Sequence, residues 1–131
     1  MSLFTTDELN YLHSERRLAR IATVGSDGTP HVVPVGWSHN RKLDTIDIGG
    51  LDFAATKKFR DVKRTGRAAV VIDDVLPPWQ PRGVEIRGRA EALDGPEPII
   101  RIHPERIVAW GFESKLPGHQ NARNVARSDA A

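Results

Sequence analysis

A chain of 131 residues with 19 Lys and Arg against 17 Asp and Glu carries a formal charge of +2, and its length supports one barrel-sized core but not two domains. Such a chain buries roughly two-thirds of its unfolded surface, so pairing with a second copy would add useful burial. The lack of cysteine excludes disulfides and thiolate metal sites, and no apolar run approaches the ~20 residues of a membrane span.

In chain order, Thr5 or Thr6 caps a short helix reaching residue 16. Asp7 and Glu8 lie in its first turn, where the dipole favours acids, and Leu9 and Leu12 face the core. Residues 1–10 lack the basic-then-apolar pattern of a signal peptide, so a cytoplasmic location and no membrane partner are expected. Residues 18–24 form the first strand, and Gly25-Ser26-Asp27-Gly28 is turn chemistry. Residues 31–37 form the second strand, Asn40-Arg41-Lys42 a hairpin connection and residues 45–49 the third strand. A helix over 52–65 groups Ala55, Phe59 and Val62 on one face, with Lys57, Lys58, Arg60 and Arg64 around the rest.

Residues 68–72 are an apolar, β-branched strand. Pro77, Pro78 and Pro81 make residues 75–83 a stiff loop. From 83 to 92, Val84, Ile86, Gly88, Ala90 and Ala92 alternate with Glu85, Arg87, Arg89 and Glu91, the pattern of a half-buried strand. Residues 99–110 read as a last strand interrupted at Pro104, and the polar tail from Ser114 as a loose arm. Six strands and two helices predict a mostly β fold, an antiparallel barrel with short flanking helices. The barrel occupies residues 1–113, with 114–131 as its arm.

Three segments suggest a site. On the second strand Val33, Val35 and Trp37 point one way, and Val32, Pro34 and Gly36 the other. The second face is small enough for a flat ring to lie against the backbone. Close packing of another strand, or an edge blunted by proline, explains it equally. The segment Thr56-Lys57-Lys58-Phe59-Arg60 suits phosphate at a helix start, or is an ordinary basic face. The loop holding Trp79 and Arg82 presents an indole and a guanidinium to a ring system or a partner, or caps a barrel end with the indole.

Other chemistry is weak. His31 and His39 lack partners at metal spacing, and His103 and His119 are isolated, so no metal is expected. There is no Gly-x-Ser-x-Gly element, phosphate loop or evident acid/base pair of carboxylates. Aromatic content of 6% argues against a single-strand nucleic-acid reader.

The run Asp27-Gly28-Thr29-Pro30-His31-Val32-Val33-Pro34-Val35-Gly36-Trp37 resembles the second-strand signature of the pyridoxamine 5'-phosphate oxidase-like split barrels. Lys58-Phe59-Arg60-Asp61-Val62 resembles that family's Lys-x-Arg-Asn-Leu segment, with Asp61 in place of the usual Asn. The blocks over 79–91 and 100–111 are similar to the actinobacterial deazaflavin (coenzyme F420) branch. The resemblance implies a homodimeric, six-stranded split barrel with two cofactor sites at the interface. It implies that His31, Val32, Val33, Pro34 and Gly36 lie beside the ring. Thr56, Lys57, Lys58, Arg60 and Asp61 would hold the phosphate, and Trp79 and Trp110 would approach from near the interface. The expected activity is hydride transfer between reduced F420 and a small unsaturated organic substrate. The alternatives are an FMN oxidoreductase of the same fold, or a carrier that binds F420 without turnover. No residue is identified as proton donor.

Overall fold

A computed structural model of the protein describes residues 1–112 and 120–125. Strand alternation builds a single seven-stranded sheet. Its strands are β1 (Ala19–Val24), β2 (Pro30–Asn40), β3 (Thr45–Gly49), β4 (Arg67–Leu76), β5 (Gln80–Leu93), β6 (Ile99–Trp110) and β7 (Gln120–Asn124). Their spatial order is β3-β2-β1-β4-β5-β6-β7, every pair antiparallel. β3 also pairs with β6 through Ile46↔Ile102 and Ile48↔Ile100, which closes β1 to β6 into a six-stranded barrel. One edge of β6 therefore serves two strands, β3 along its first half and β7 along its second. Ile21, Ile46, Ile48, Ile72, Ile86 and Ile100 fill the interior, where β-branched side chains pack well on a pleated surface.

The alternation over 84–90 holds: Val84, Ile86 and Ala90 are buried, and Arg87 and Arg89 exposed. Pro104 does not interrupt β6. Arg87 pairs with Arg106 but Gly88 pairs with Pro104, so β6 carries one extra residue, Glu105, as a bulge. The bulge relieves the ladder where proline has no donor. Opposite it, a Cβ on Gly88 would overlap the carbonyl oxygen of His103.

Helix α1 (Thr6–Ser14) starts from a capping box and ends two residues sooner than expected. Thr5 Oγ1 accepts from Glu8 N at 3.1 Å, and Glu8 Oε1 accepts from Thr5 N at 2.9 Å. Leu12 is buried and Leu9 half-buried against the core.

The helix expected over 52–65 is broken. A 3-10 turn (Phe53–Ala55) precedes α2 (Lys57–Thr65), and Thr56 stands between them in extended backbone. Thr56 Oγ1 donates to Phe53 O at 2.7 Å and accepts from Phe59 N at 3.3 Å, which ends one turn and caps the next. Phe53 takes the buried place foreseen for Ala55, which is exposed. Gly66, at φ 70°, terminates α2 in the left-handed conformation.

Two further expectations are corrected. The stiff loop over 75–83 is a tight hairpin: β4 runs to Leu76, β5 starts at Gln80, and only residues 77–79 turn. Part of the loose arm is the strand β7, and Arg123 fastens it. Its guanidinium reaches Glu8 at 2.9 and 2.7 Å and Leu3 O at 3.0 Å. The arm's remaining residues lie outside the described ones. Among the described residues no helix is long and apolar enough to cross a membrane.

Asp74 joins the hairpin to α1. It accepts from Arg82 at 2.8 and 3.0 Å, Arg17 Nε at 3.1 Å and Tyr11 Oη at 2.9 Å. The Arg82 hydrogen bonds, aided by Arg17 and Tyr11 and opposed by burial, hold its carboxyl well below the usual range.

Two outcomes follow for stability. Gly88→Ala should lower stability by about 1–3 kcal/mol or more through overlap at the bulge, whereas Gly36→Ala should melt as wild type because nothing lies within 4 Å of its Cβ position. Parallel thermal melts check this. Asp74→Asn should cost about 1–3 kcal/mol at pH 7 in urea unfolding. A carboxyl lowered in the folded state contributes fully above the unfolded pKa of about 4 and loses that contribution as pH falls through the folded value. The gap between Asp74→Asn and wild type should therefore narrow from pH 7 to pH 3.

Candidate functional site

The register places the small face of β2 on the outside of the barrel. Read across the ladder, Pro34, Arg20, Val71, Glu85, Val108 and Ala122 stand in one row. Val32, Ala22, Ala69, Arg87, Arg106 and Asn124 stand in the next. Apart from Arg20, small and β-branched residues thus occupy the β2-β1-β4 side, whereas Glu85, Arg87 and Arg106 charge the β5-β6 side beside Val108. Val32 is 66% exposed. Trp110 lies across Gly83, whose Cβ would come within 2.7 Å of the indole. Val32 and Trp110 line one open cleft with Ala22, Ala69, Val71 and Val108.

Gly36 and Gly49 face each other across β2 and β3. A Cβ at Gly36 would meet nothing within 4 Å, so among the described residues no strand packs closely over it. Gly49 stands out in the sequence only as part of the Gly49-Gly50 pair before the basic segment; its pairing with Gly36 is invisible there, because the register is not known. The edge explanation for Pro34 does hold: β2 pairs only with β1 until Gly36, and Pro34 lies on that one-sided stretch. His31 and Val33 lie on the other side of β2, in step with the buried Val35. The His31 ring sits beside Gly25, whose Cβ would stand 2.7 Å from His31 Nε2. The structure therefore does not bring His31 and Val33 to the Val32–Pro34–Gly36 face.

From Gly49 and Gly50 the chain reaches the start of α2 within one 3-10 turn. Lys57 Nζ lies 3.6 Å from Asp61, and Arg60 Nη1 donates to Ala55 O at 2.8 Å. Lys58 Nζ rests 5.3 Å from the Phe53 ring centroid and has no carboxylate partner among the described residues. Asp61 is turned inward and only 1% exposed, bonded to Thr23 Oγ1 at 3.0 Å and approached by Arg64 at 3.4 Å. Burial opposes its ionisation, but Thr23, Lys57 and Arg64 outweigh burial and lower its pKa. Asp61 therefore ties α2 to β1 and leaves the ligand-facing set. Arg82, expected to present its guanidinium outward, is held by Asp74. Trp79 stands alone at the hairpin tip, 75% exposed.

Sequence reasoning also missed a polar chain between α1 and the β2-β3 connection. Arg41 Nη2 lies 3.2 Å from His13 Nδ1, His13 Nε2 lies 3.0 Å from His39 Nδ1, and His39 Nε2 lies 2.8 Å from Asp44 Oδ1. His39 is thus far from partnerless, although its imidazole partner sits 26 residues away. Ser2 Oγ and Leu3 N also donate to Asp44, at 2.8 and 2.6 Å. Burial works against the Asp44 carboxylate, and these donors hold its pKa below the ordinary value. His103 likewise has a partner, Glu91, at 2.5 Å; His119 lies outside the described residues. Among the described residues no group of three His, Asp or Glu side chains is placed to hold a metal ion.

Known proteins are similar to this chain along most of its length. A 5a,11a-dehydrotetracycline/5a,11a-dehydrooxytetracycline reductase of Streptomyces rimosus is 39% identical over 137 aligned positions, covering 96% of each chain. A solved F420 reductase superposes with a TM-score of 0.58 at 19% identity, over 75% of this chain and 94% of its own. The FAD binding protein from Mycobacterium smegmatis does so with a TM-score of 0.62 at 24% identity, over 80% and 91%. These two solved structures support the fold alone. Residues 5–128 match the model of the pyridoxamine 5'-phosphate oxidase family, and with a 39%-identical relative along nearly its full length the chain belongs to that family.

Proposed function

We propose that this protein is a reductase that lays the ring of reduced coenzyme F420 against the outer face of β2 and passes its hydride to a conjugated organic substrate. The observation that carries the reading is Gly36, next to Pro34, where a Cβ would meet nothing within 4 Å; its cross-strand partner Gly49 is covered by Ile99 and Pro98 O, 3.6 and 3.7 Å from its Cβ position. Such a surface lets a flat ring touch backbone. The same strand pair leads directly to Thr56 and Lys58 at the start of α2, where free N–H groups, the helix dipole and an uncommitted ammonium favour phosphate. The reductase relative supports oxidoreduction, and its dehydrotetracycline substrates suggest a polycyclic one here. When bound, the cofactor supplies the hydride. The chain holds and orients the ring and phosphate.

One observation favours FMN as a second reading. Lys57 and Arg60 are drawn to Asp61 and Ala55 O, which leaves Lys58 for a single phosphate rather than a basic track for an acidic tail. Parallel fluorescence titrations with F420 and with FMN decide between them. For the cofactor that binds, Lys58→Ala should weaken affinity by about 1.5–3 kcal/mol, the strength of hydrogen bonds to charged groups. Gly36→Val should melt like wild type and lose the ring. Full affinity in both variants would refute the placement, and binding without turnover on any conjugated substrate would favour a carrier.

We further propose a C2 homodimer that covers the outer face through Val32, Ala22, Ala69, Val71 and Ala122, with Arg20 among them and Arg106 on the β6 side. The exposed hairpin tip with Trp79 is then free to reach the second copy. Light scattering should give a dimer mass at micromolar concentration, and Ala69→Glu should give a folded monomer.

A further inference from the structure

The end of α1 and the β2-β3 connection enclose a second cleft, which the proposed function leaves unused. Its lining includes His13, Arg16, Gly36, Trp37, His39 and Arg41, and its volume of about 570 Å³ is that of a small-molecule pocket. Gly36 belongs to both surfaces, so a ring on the β2 face borders this cleft.

The polar chain that backs the cleft has a direction. A guanidinium only donates and an ionised carboxylate only accepts. Arg41 therefore donates to His13 Nδ1, His13 Nε2–H donates to His39 Nδ1, and His39 Nε2–H donates to Asp44. Both imidazoles are neutral in this arrangement. The His39 and Asp44 side chains are only 4% and 5% exposed, whereas His13 opens to the cleft. Arg16 lines the same space without an ion-pair partner among the described residues, and Arg17 is turned away to Asp74. Glu15 is the acid on this lining, and Lys42 stands beside Arg41 in the adjoining hollow.

We propose that this cleft receives the oxygen-bearing end of an enolisable, conjugated carbonyl substrate, that Arg41 binds its oxygen, and that His13 delivers the proton completing the reduction. The inference rests on the reductase reading above and deepens it. Reduction of a C=C bond conjugated to a carbonyl places a hydride on the far carbon and a proton on the near one. The π bond breaks, two C–H bonds form, and the reduced deazaflavin gives up two electrons. Between the two transfers, negative charge resides on the substrate oxygen. An anionic oxygen entering at Arg41 releases His13 Nδ1, which takes a proton from solvent and passes it to the carbon. His39 and Asp44 are positioning residues: His39 accepts from the far side of His13, Asp44 accepts from His39, and together they steady the imidazolium. Burial and then Arg41 and His39 hold the His13 pKa below its ordinary value. An arriving anion acts in the opposite sense, so substrate binding and proton uptake are coupled.

The test uses oxytetracycline, an enolised polycyclic β-dicarbonyl, as probe. It is titrated calorimetrically into the full chain at pH 7.5, with and without F420, in phosphate and in Tris. The difference between buffers of unequal ionisation enthalpy counts protons. Wild type should bind with proton uptake. His13→Gln, which keeps a donor for His39, should bind without it. Arg41→Gln should weaken binding at least about tenfold. His39→Gln should reduce the uptake while melting near wild type. No binding in either state, or uptake that persists in His13→Gln, overturns the inference. Should His13→Gln fail to fold, unchanged affinity in Arg41→Gln overturns it alone. F420 titration of the same samples separates the two readings. F420 binding without oxytetracycline binding sinks only this inference. The reverse outcome sinks the cofactor assignment and leaves the cleft standing.

Discussion

Everything in this molecule depends on the short ladder between β3 and β6. Ile46 and Ile48 meet Ile102 and Ile100 there, all without exposed surface, and the sheet becomes a barrel. Because the ladder is short, it leaves two edges unserved. The first half of β2 has β1 on one side and, among the described residues, no strand on the other. The second half of β6 needs β7. Closing the sheet fully would have removed both edges. Leaving it split instead creates a one-sided stretch of β2 that carries Pro34 and ends at the Gly36–Gly49 pair.

Charges inside the structure are placed to fasten elements together. Glu8 caps α1 and receives Arg123, Asp61 joins α2 to β1, and Asp74 gathers Arg17, Tyr11 and Arg82. No buried side-chain polar atom is left unsatisfied among the described residues. Breaking such a bond strands a buried group, which costs far more than the bond contributes when intact. These pairs therefore act as locks on the angles at which α1, α2 and β7 meet the barrel, and through α1 on the walls of the second cleft.

Much of this was legible in the sequence. The alternation over 84–90 gave a strand with the right face inward, since period two is a local property. Thr5 and Glu8 declared the first helix. What local pattern misjudged was tertiary compensation. Pro104 looked like an interruption until a bulge on its own strand accommodated it. The prolines at 77, 78 and 81 suggested a long loop, yet three residues turn and Pro81 pairs with Val75. The tail at 120–124 has no apolar period because β6, not the core alone, holds it. Asp61 and Arg82 drew attention as charges, and only coordinates show that each is spent on an internal partner. The His13–His39 pair joins residues on separate elements, which no spacing rule reaches.

The pairing of Glu8 with Arg123 has a consequence for how the chain acquires its shape. The two residues are separated by 115 positions. During synthesis the chain must emerge through Arg123 before the first helix meets its counter-charge, and contacts so remote in sequence form slowly. Until then the Glu8 carboxylate resists burial, so α1 docks late and the far half of β6 presents bare N–H and C=O groups. An unpaired edge of that kind recruits foreign strands. The interval between barrel closure and arrival of β7 is thus the moment when this protein is most exposed to misassembly.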